Sequence, residues 1–230
     1  MGNYKSLAGN YATGVVARFI GLKGYFRVKI VLATRNQGKI EEIRSLLKGQ
    51  EIRGGIEIHS LKDYPDVPEI VEDGATFSEN ARKKALTVAQ LIGQIAVADD
   101  SGLEVDALGG APGVYSARFA GEGASDSANI KKLLDLLRDI PPEKRGARFV
   151  CVMALATPDG EVSLVAGECR GTIAMEEQGT AGFGYDPVFI VPEYGETFAE
   201  LGREVKNKIS HRACALSKLC RLLESLAPLF

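Results

Sequence analysis

The 230-residue chain has no tryptophan, two histidines (His59 and His211) and four cysteines (Cys151, Cys169, Cys214 and Cys220). No two cysteines form a CxxC pair, and Cys214 alone lies within four residues of a histidine, His211. That excludes the usual structural zinc patterns and suits reduced thiols in a cytoplasmic protein. No stretch approaches the roughly 18 consecutive apolar residues of a membrane span. Excess charge is missing as well. Lys and Arg number 28 against 30 Asp and Glu, so the overall field attracts neither nucleic acid nor an anionic membrane. Acids are absent from residues 1–27, where Lys5, Arg18, Lys23 and Arg27 leave the remaining chain at a net charge of about −6. The apolar part of that segment, "TGVVARFIG", is short and interrupted by Arg18, unlike a signal sequence. Residues 1–27 therefore read as a basic extension outside the core fold, and 28–230 as a single domain without repeats or low-complexity linkers. What is present is ordinary for a folded enzyme, with 45% hydrophobic and 25% charged residues. A polyanionic ligand would need a local basic pocket.

Periodicity outlines an α/β domain. "VKIVLA" (Val28–Ala33) reads as a buried strand, and Ile40, Ile43 and Leu47 form the apolar face of a helix that Asn36 would cap. "GIEIHSL" (Gly55–Leu61) alternates as a second strand. Phe77, Ala81, Ala85, Val88 and Ile92 make a narrow stripe on a helix from Thr76 to Ile92, followed by a strand at Ile95–Ala98. A helix from Ser125 or Asp126 to Arg138 precedes two long strands joined at Pro158-Asp159-Gly160 between Ala147 and Ile173. "PVFIV" reads as another strand and Ser210–Leu226 as a terminal helix. Helices and strands that alternate early and a central hairpin imply a mixed sheet flanked by helices.

Five stretches carry chemistry. "TRNQGK" turns a strand into a helix, where free N–H groups and the helix dipole favour an anion. Thr34, Asn36 and Lys39 add donors and charge, and Gly38 permits close approach. In "FSENARKKA", Asn80 and Lys84 share one edge of the apolar stripe. "ADDSG" places Asp99 and Asp100 at a strand end before a Ser-Gly turn. Taken alone the pair reads first as a solvated turn, and only second as ligands for a cation such as Mg²⁺, with Glu72 as a further ligand. "GTAGFGYDPVF" offers Phe183 or Tyr185 for stacking on a base and Asp186 as an acceptor for ring N–H groups. In "KNKISHRA", His211 and Arg212 occupy the first turn of a helix, where cations oppose the dipole. An electronegative ligand would explain them, and Lys206 lies one short loop upstream.

These stretches, in this order, resemble the inosine triphosphate pyrophosphatase family. The likeness runs from about Val28 to Leu226 through "LATRNQGK", "TFSENARKKA", "ADDSGLEVDALGGAPGVYSARFAG", "GTAGFGYDPVF" and "KISHR". The resemblance implies an elongated mixed sheet with helices in two lobes around a nucleotide cleft, usually as a homodimer. It also implies Mg²⁺-dependent hydrolysis of the α–β bond of dITP, ITP and XTP to the monophosphate and pyrophosphate. By position, Thr34, Arg35, Asn36, Gln37, Gly38 and Lys39 would bind the triphosphate, Lys84 would contact phosphate, and Ser101 would hold the substrate. Glu72 and Asp100 would coordinate Mg²⁺, with Asp100 the general base and Asp99 in support. Phe183, Gly184, Tyr185 and Asp186 would embrace the base, completed by Lys206, His211 and Arg212. Neither nucleic acid nor membrane is an implied partner. Departures are small: Arg35 stands where variation is expected, and Ala213 follows "SHR" where Gly is common.

Overall fold

A computed structural model of the chain describes residues 28–47 and 56–226. The basic extension 1–27 and the Gly55 start of the second strand lie outside the described residues. Among those residues, seven strands form one mixed sheet. In chain order they are β1 (Val28–Leu32), β2 (Ile56–Ser60), β3 (Ile95–Val105), β4 (Gly146–Ala156), β5 (Val162–Ile173), β6 (Phe189–Val191) and β7 (Glu196–Thr197). The spatial order is β2-β1-β3-β4-β5-β6-β7. The helices are α1 (Gln37–Leu47), α2 (Phe77–Ile92), α3 (Asp126–Leu136), α4 (Phe198–Ile209) and α5 (His211–Leu226). β1 pairs in parallel with β2 and β3, as helical crossovers through α1 and α2 require, while β3 to β7 run antiparallel.

Alternation along β1 and β3 divides the core. Val31, Ala96 and Ala98 pack against Phe77, Ala81, Ala85 and Val88 of α2. Ile30, Leu32 and Val97 pack on the opposite face against Ile43 of α1 and Leu216 and Leu219 of α5. Farther along the sheet, Leu103, Phe149 and Phe189 form a third cluster with Leu133 of α3 and Phe198 of α4. No helix among the described residues is long and apolar enough to cross a membrane.

The structure corrects three local readings. First, β3 does not stop at Ala98. It runs to Val105, so Asp99, Asp100, Ser101 and Gly102 are strand residues and not a turn. Carboxylates and glycine disfavour strands locally, but β4 pairs with β3 without interruption from Ala96↔Ala156 to Val105↔Ala147. Gly102 is required by packing. A Cβ there would stand 2.4 Å from the Gly113 carbonyl oxygen and 2.6 Å from Ser116 Oγ. Second, the segment before Ser210 is helix α4, not a short loop, so Lys206 is a helical residue. Its start is marked by a Thr197–Glu200 capping box. Third, α3 ends at Leu136, two residues before Arg138, while Ser125 caps it as one of the two residues the sequence offered.

Candidate active site

β1 accompanies β3 only as far as Leu32↔Val97. Beyond that point the edge of β3 is free of β1, and a cavity of about 480 Å³ opens there, a size typical of nucleotide-sized ligands. Successive strand residues point to opposite faces. Asp99 and Ser101 therefore meet α1 and α5, while Asp100 meets α2. Adjacent in sequence, the two carboxylates are served by separate sets of partners.

On the α2 side, Asp100 Oδ2 accepts a hydrogen bond from Asn80 Nδ2 at 3.0 Å and Oδ1 accepts one from the Ser101 amide at 3.0 Å. Lys84 Nζ donates to Glu72 Oε1 at 2.8 Å and to the Asp99 carbonyl at 2.7 Å. A Thr76–Glu79 capping box starts α2. Four-residue spacing then sets Asn80 and Lys84 on one face. Asn80 Oδ1 accepts from the Gly74 amide at 2.8 Å, tying down the loop that carries Glu72. Lys83 points outward to Asp73. Burial raises the pKa of Asp100. Lys84 works against that rise and the neighbouring Glu72 carboxylate adds to it. Two carboxylates face one ammonium here, and all the donors offered are oxygens. That set fits a hard divalent cation that takes its remaining ligands from water and phosphate. Among the described residues no group of three or more His, Cys, Asp or Glu could hold a metal, so water and substrate oxygens would complete the shell.

On the other side Asp99 Oδ2 accepts from Lys39 Nζ at 3.0 Å, Arg212 Nη2 at 3.2 Å and Ser101 Oγ at 2.9 Å. Arg212 Nη1 donates to Glu42 of α1. Burial alone would push Asp99 upward, but Lys39 and Arg212 hold its carboxyl far below the usual range. Burial likewise opposes the Arg212 charge, yet Glu42 and Asp99 raise its pKa. Burial opposes the Lys39 charge as well, but its pKa is raised because Asp99 and Asp100 together prevail. So the cation at the start of α5 already has internal partners, Glu42 and Asp99, where the sequence pointed to an electronegative ligand. His211, by contrast, is neutral near pH 7. Burial, with Arg212 and Lys206 nearby, lowers its pKa well below that of an ordinary histidine, and its ring stacks on Phe149 with centroids 4.7 Å apart.

That neutral imidazole has a measurable consequence. Between its depressed folded pKa and about 6.5 the unfolded chain binds a proton that the folded chain does not. Stability therefore falls as pH drops through this window, by roughly 1 kcal/mol between pH 6.5 and 5.5. Urea unfolding at the two pH values should show this loss in the wild type and not in His211→Gln. A variant with the same loss would rule out His211 as its source.

The loop between β5 and β6 closes a further wall. Phe183 lines the cavity, with Lys206 Nζ 4.6 Å from its ring centroid and the Arg212 guanidinium 5.8 Å away. Lys206 Nζ donates to Asp186 Oδ2 at 2.6 Å, and the Phe183 amide donates to the same oxygen at 3.0 Å. Burial raises the Asp186 pKa against the opposing Lys206 charge. Gly182, at φ 87°, wraps this carboxylate so tightly that a Cβ would lie 2.0 Å from Asp186 Oδ2. Gly184 donates its amide to Asp126 Oδ2 at 2.7 Å. Tyr185 lines the cavity but is 4% exposed in the core, and its hydroxyl donates to the Ser116 carbonyl at 2.8 Å. Of the two aromatics only Phe183 is placed to stack on a ligand.

At the start of α1, Thr34, Arg35, Asn36 and Lys39 line the cavity. Asn36 caps the helix, its Oδ1 accepting the Lys39 amide at 3.1 Å, and Thr34 Oγ1 accepts the Asn36 amide at 3.1 Å. Arg35 donates to the Val67 carbonyl at 2.6 Å. Gly38 backs onto Phe183. Gln37 is turned away, bonded to Glu41 and Lys62.

A model of the Ham1 family matches residues 30–222. The chain belongs to the Ham1 family. It is 54% identical over 199 residues to a dITP/XTP pyrophosphatase of Desulforamulus reducens, covering 86% of this chain and 97% of that relative. A dITP/XTP pyrophosphatase of Shouchella clausii is 50% identical over 200 residues, 87% of this chain and 98% of the relative. The solved HAM1 protein of Coxiella burnetii shares the fold with a TM-score of 0.77 at 42% identity, covering 86% of this chain and 99% of that one. These relatives agree with the resemblance carried by the five motifs. In this Ham1 family member the motif reading passed over Glu42, Phe149 and Asp126. Glu42 left one trace, a carboxylate set in the apolar face between Ile40 and Ile43 of α1.

Proposed function

We propose that the chain is a nucleoside triphosphate pyrophosphatase acting on dITP, ITP and XTP, cutting the α–β phosphoanhydride with Mg²⁺. One observation carries this reading. A single cavity joins the α1 N-terminus and its lysine to the Glu72–Asp100 corner and to the Phe183–Asp186 wall. The first suits phosphates, the second a cation, the third a flat base. The five matching motifs and the names of the relatives support the same assignment.

In this reading Thr34, Asn36 and Lys39 bind the triphosphate, Lys84 adds charge, and Ser101 orients it. Glu72 and Asp100 would hold Mg²⁺, which when bound supplies charge neutralisation on the phosphates and a more acidic water. Asp100 takes the proton of the attacking water on its carboxylate, and its raised pKa suits that exchange. Asp99 fixes Lys39, Ser101 and Arg212. Phe183 stacks on the base, and Lys206, His211 and Arg212 surround it. Donors directed at a 6-oxo group would face the amino group of adenine and stay unpaired, which disfavours ATP. The same proposal takes residues 28–230 as one two-lobed unit forming a homodimer in the cytoplasm. The four free cysteines accord with a reducing compartment.

Incubation with Mg²⁺ and ITP, XTP, dITP, GTP or ATP tests it. Pyrophosphate should appear with the first three, more slowly with GTP and ATP, and not after chelation of the metal. Orthophosphate as the product, or equal rates on ATP, would refute the assignment.

A further inference from the structure

Most cations around the cavity are held by carboxylates of the site itself. Lys39 is paired with Asp99, Lys84 with Glu72, Lys206 with Asp186, and Arg212 with both Glu42 and Asp99. Arg118, which also lines the cavity, is bound differently. It closes the 3-10 segment Gly113–Arg118. Its carboxylate partner there is Glu122, at 3.4 Å and with a side chain 89% exposed, a pair too wet to commit the charge. Its firmer ties leave that charge uncompensated. Nη2 donates to the Glu72 carbonyl at 3.0 Å, and the guanidinium lies over the Tyr115 ring at 5.2 Å. A guanidinium has five N–H donors in a fixed plane. The stack and the carbonyl bond thus set its orientation and leave donors open beside the Glu72 corner.

A triphosphate brings more negative charge than the internally paired lysines can answer. We propose that Arg118 binds the β- and γ-phosphates of the substrate, the part that leaves as pyrophosphate, and so selects triphosphates over shorter nucleotides. This rests on the pyrophosphatase reading. It adds a residue whose fork geometry matches phosphate oxygens in a way a lysine would not.

The test is thermal stabilisation of the full chain by inorganic pyrophosphate with Mg²⁺ and, separately, by inosine monophosphate. Wild type should respond to both. R118A should keep its response to the monophosphate and lose apparent pyrophosphate affinity by roughly 10- to 100-fold, as expected for charge-assisted hydrogen bonds. R118K should fall between. In turnover, kcat/KM should drop more for ITP than for inosine diphosphate. R118M keeps the aliphatic stem over Tyr115 and serves as the second variant if R118A does not fold. Unchanged pyrophosphate binding in these variants overturns the assignment, as does an equal loss for both ligands, which would mark a displaced Glu72 loop. A wild type stabilised by neither ligand overturns the pyrophosphatase reading itself.

Discussion

Asp100→Asn is expected to lower kcat by about 10²- to 10⁴-fold, the range set by loss of a general base, and to weaken nucleotide binding far less. The substitution keeps the shape of the side chain but removes its charge and proton-accepting capacity. Its two oxygens now take hydrogen bonds from Asn80 Nδ2 and the Ser101 amide. An amide can satisfy one of these and must present its own donor to the other, a cost of about 1–3 kcal/mol. That is small enough for the fold to persist on a sheet anchored by continuous β3–β4 pairing. Single-turnover rates and equilibrium binding of inosine monophosphate separate the effects. An Asp100→Asn enzyme with unchanged kcat would remove Asp100 as the base. One that loses turnover and monophosphate binding together would make its part structural.

Arg212→Ala should act first on stability. The Arg212 side chain is 2% exposed and contacts Glu42, Asp99 and Ser101. Its removal leaves two buried carboxylates, of which Asp99 keeps its ion pair with Lys39. Truncating one partner of a buried charge network costs about 3–5 kcal/mol, because the other charges stay behind without compensation. The shift should appear as a lower urea midpoint, and Arg212→Met combined with Glu42→Gln should recover part of it by deleting an opposing charge. A loss below about 1 kcal/mol would mean that solvent reaches the network. The surviving enzyme should also discriminate less between ITP and GTP, since this guanidinium borders Phe183. Retained preference for ITP would free Arg212 of any specificity role.

Much of the fold was legible because local signals agreed with tertiary demand. The strand at Val28, the helix ending at Ile92 and the hairpin turning at Pro158-Asp159-Gly160 appear where patterning places them. Misreadings fell where tertiary pairing overrides propensity. Asp99-Asp100-Ser101-Gly102 lacks the composition of a strand, yet β4 pairs with it residue by residue, from Asp99↔Met153 to Gly102↔Val150. Phe198–Ile209 was hidden by its charges, although its capping box was readable.

By itself the sequence determined the residue types of the site and their order, from Thr34 to Arg212, and through them the family. Chemistry of that kind is local: a helix start, an i,i+4 pair, a glycine beside a carboxylate. Which charge answers which was decided only by the tertiary structure. Glu42 and Arg212, 170 positions apart, meet because α1 and α5 pack on one face of the sheet. Asp99 and Asp100, consecutive in the chain, part because strand side chains alternate between faces. No periodicity along the chain encodes such distances; they follow from how the sheet is ordered.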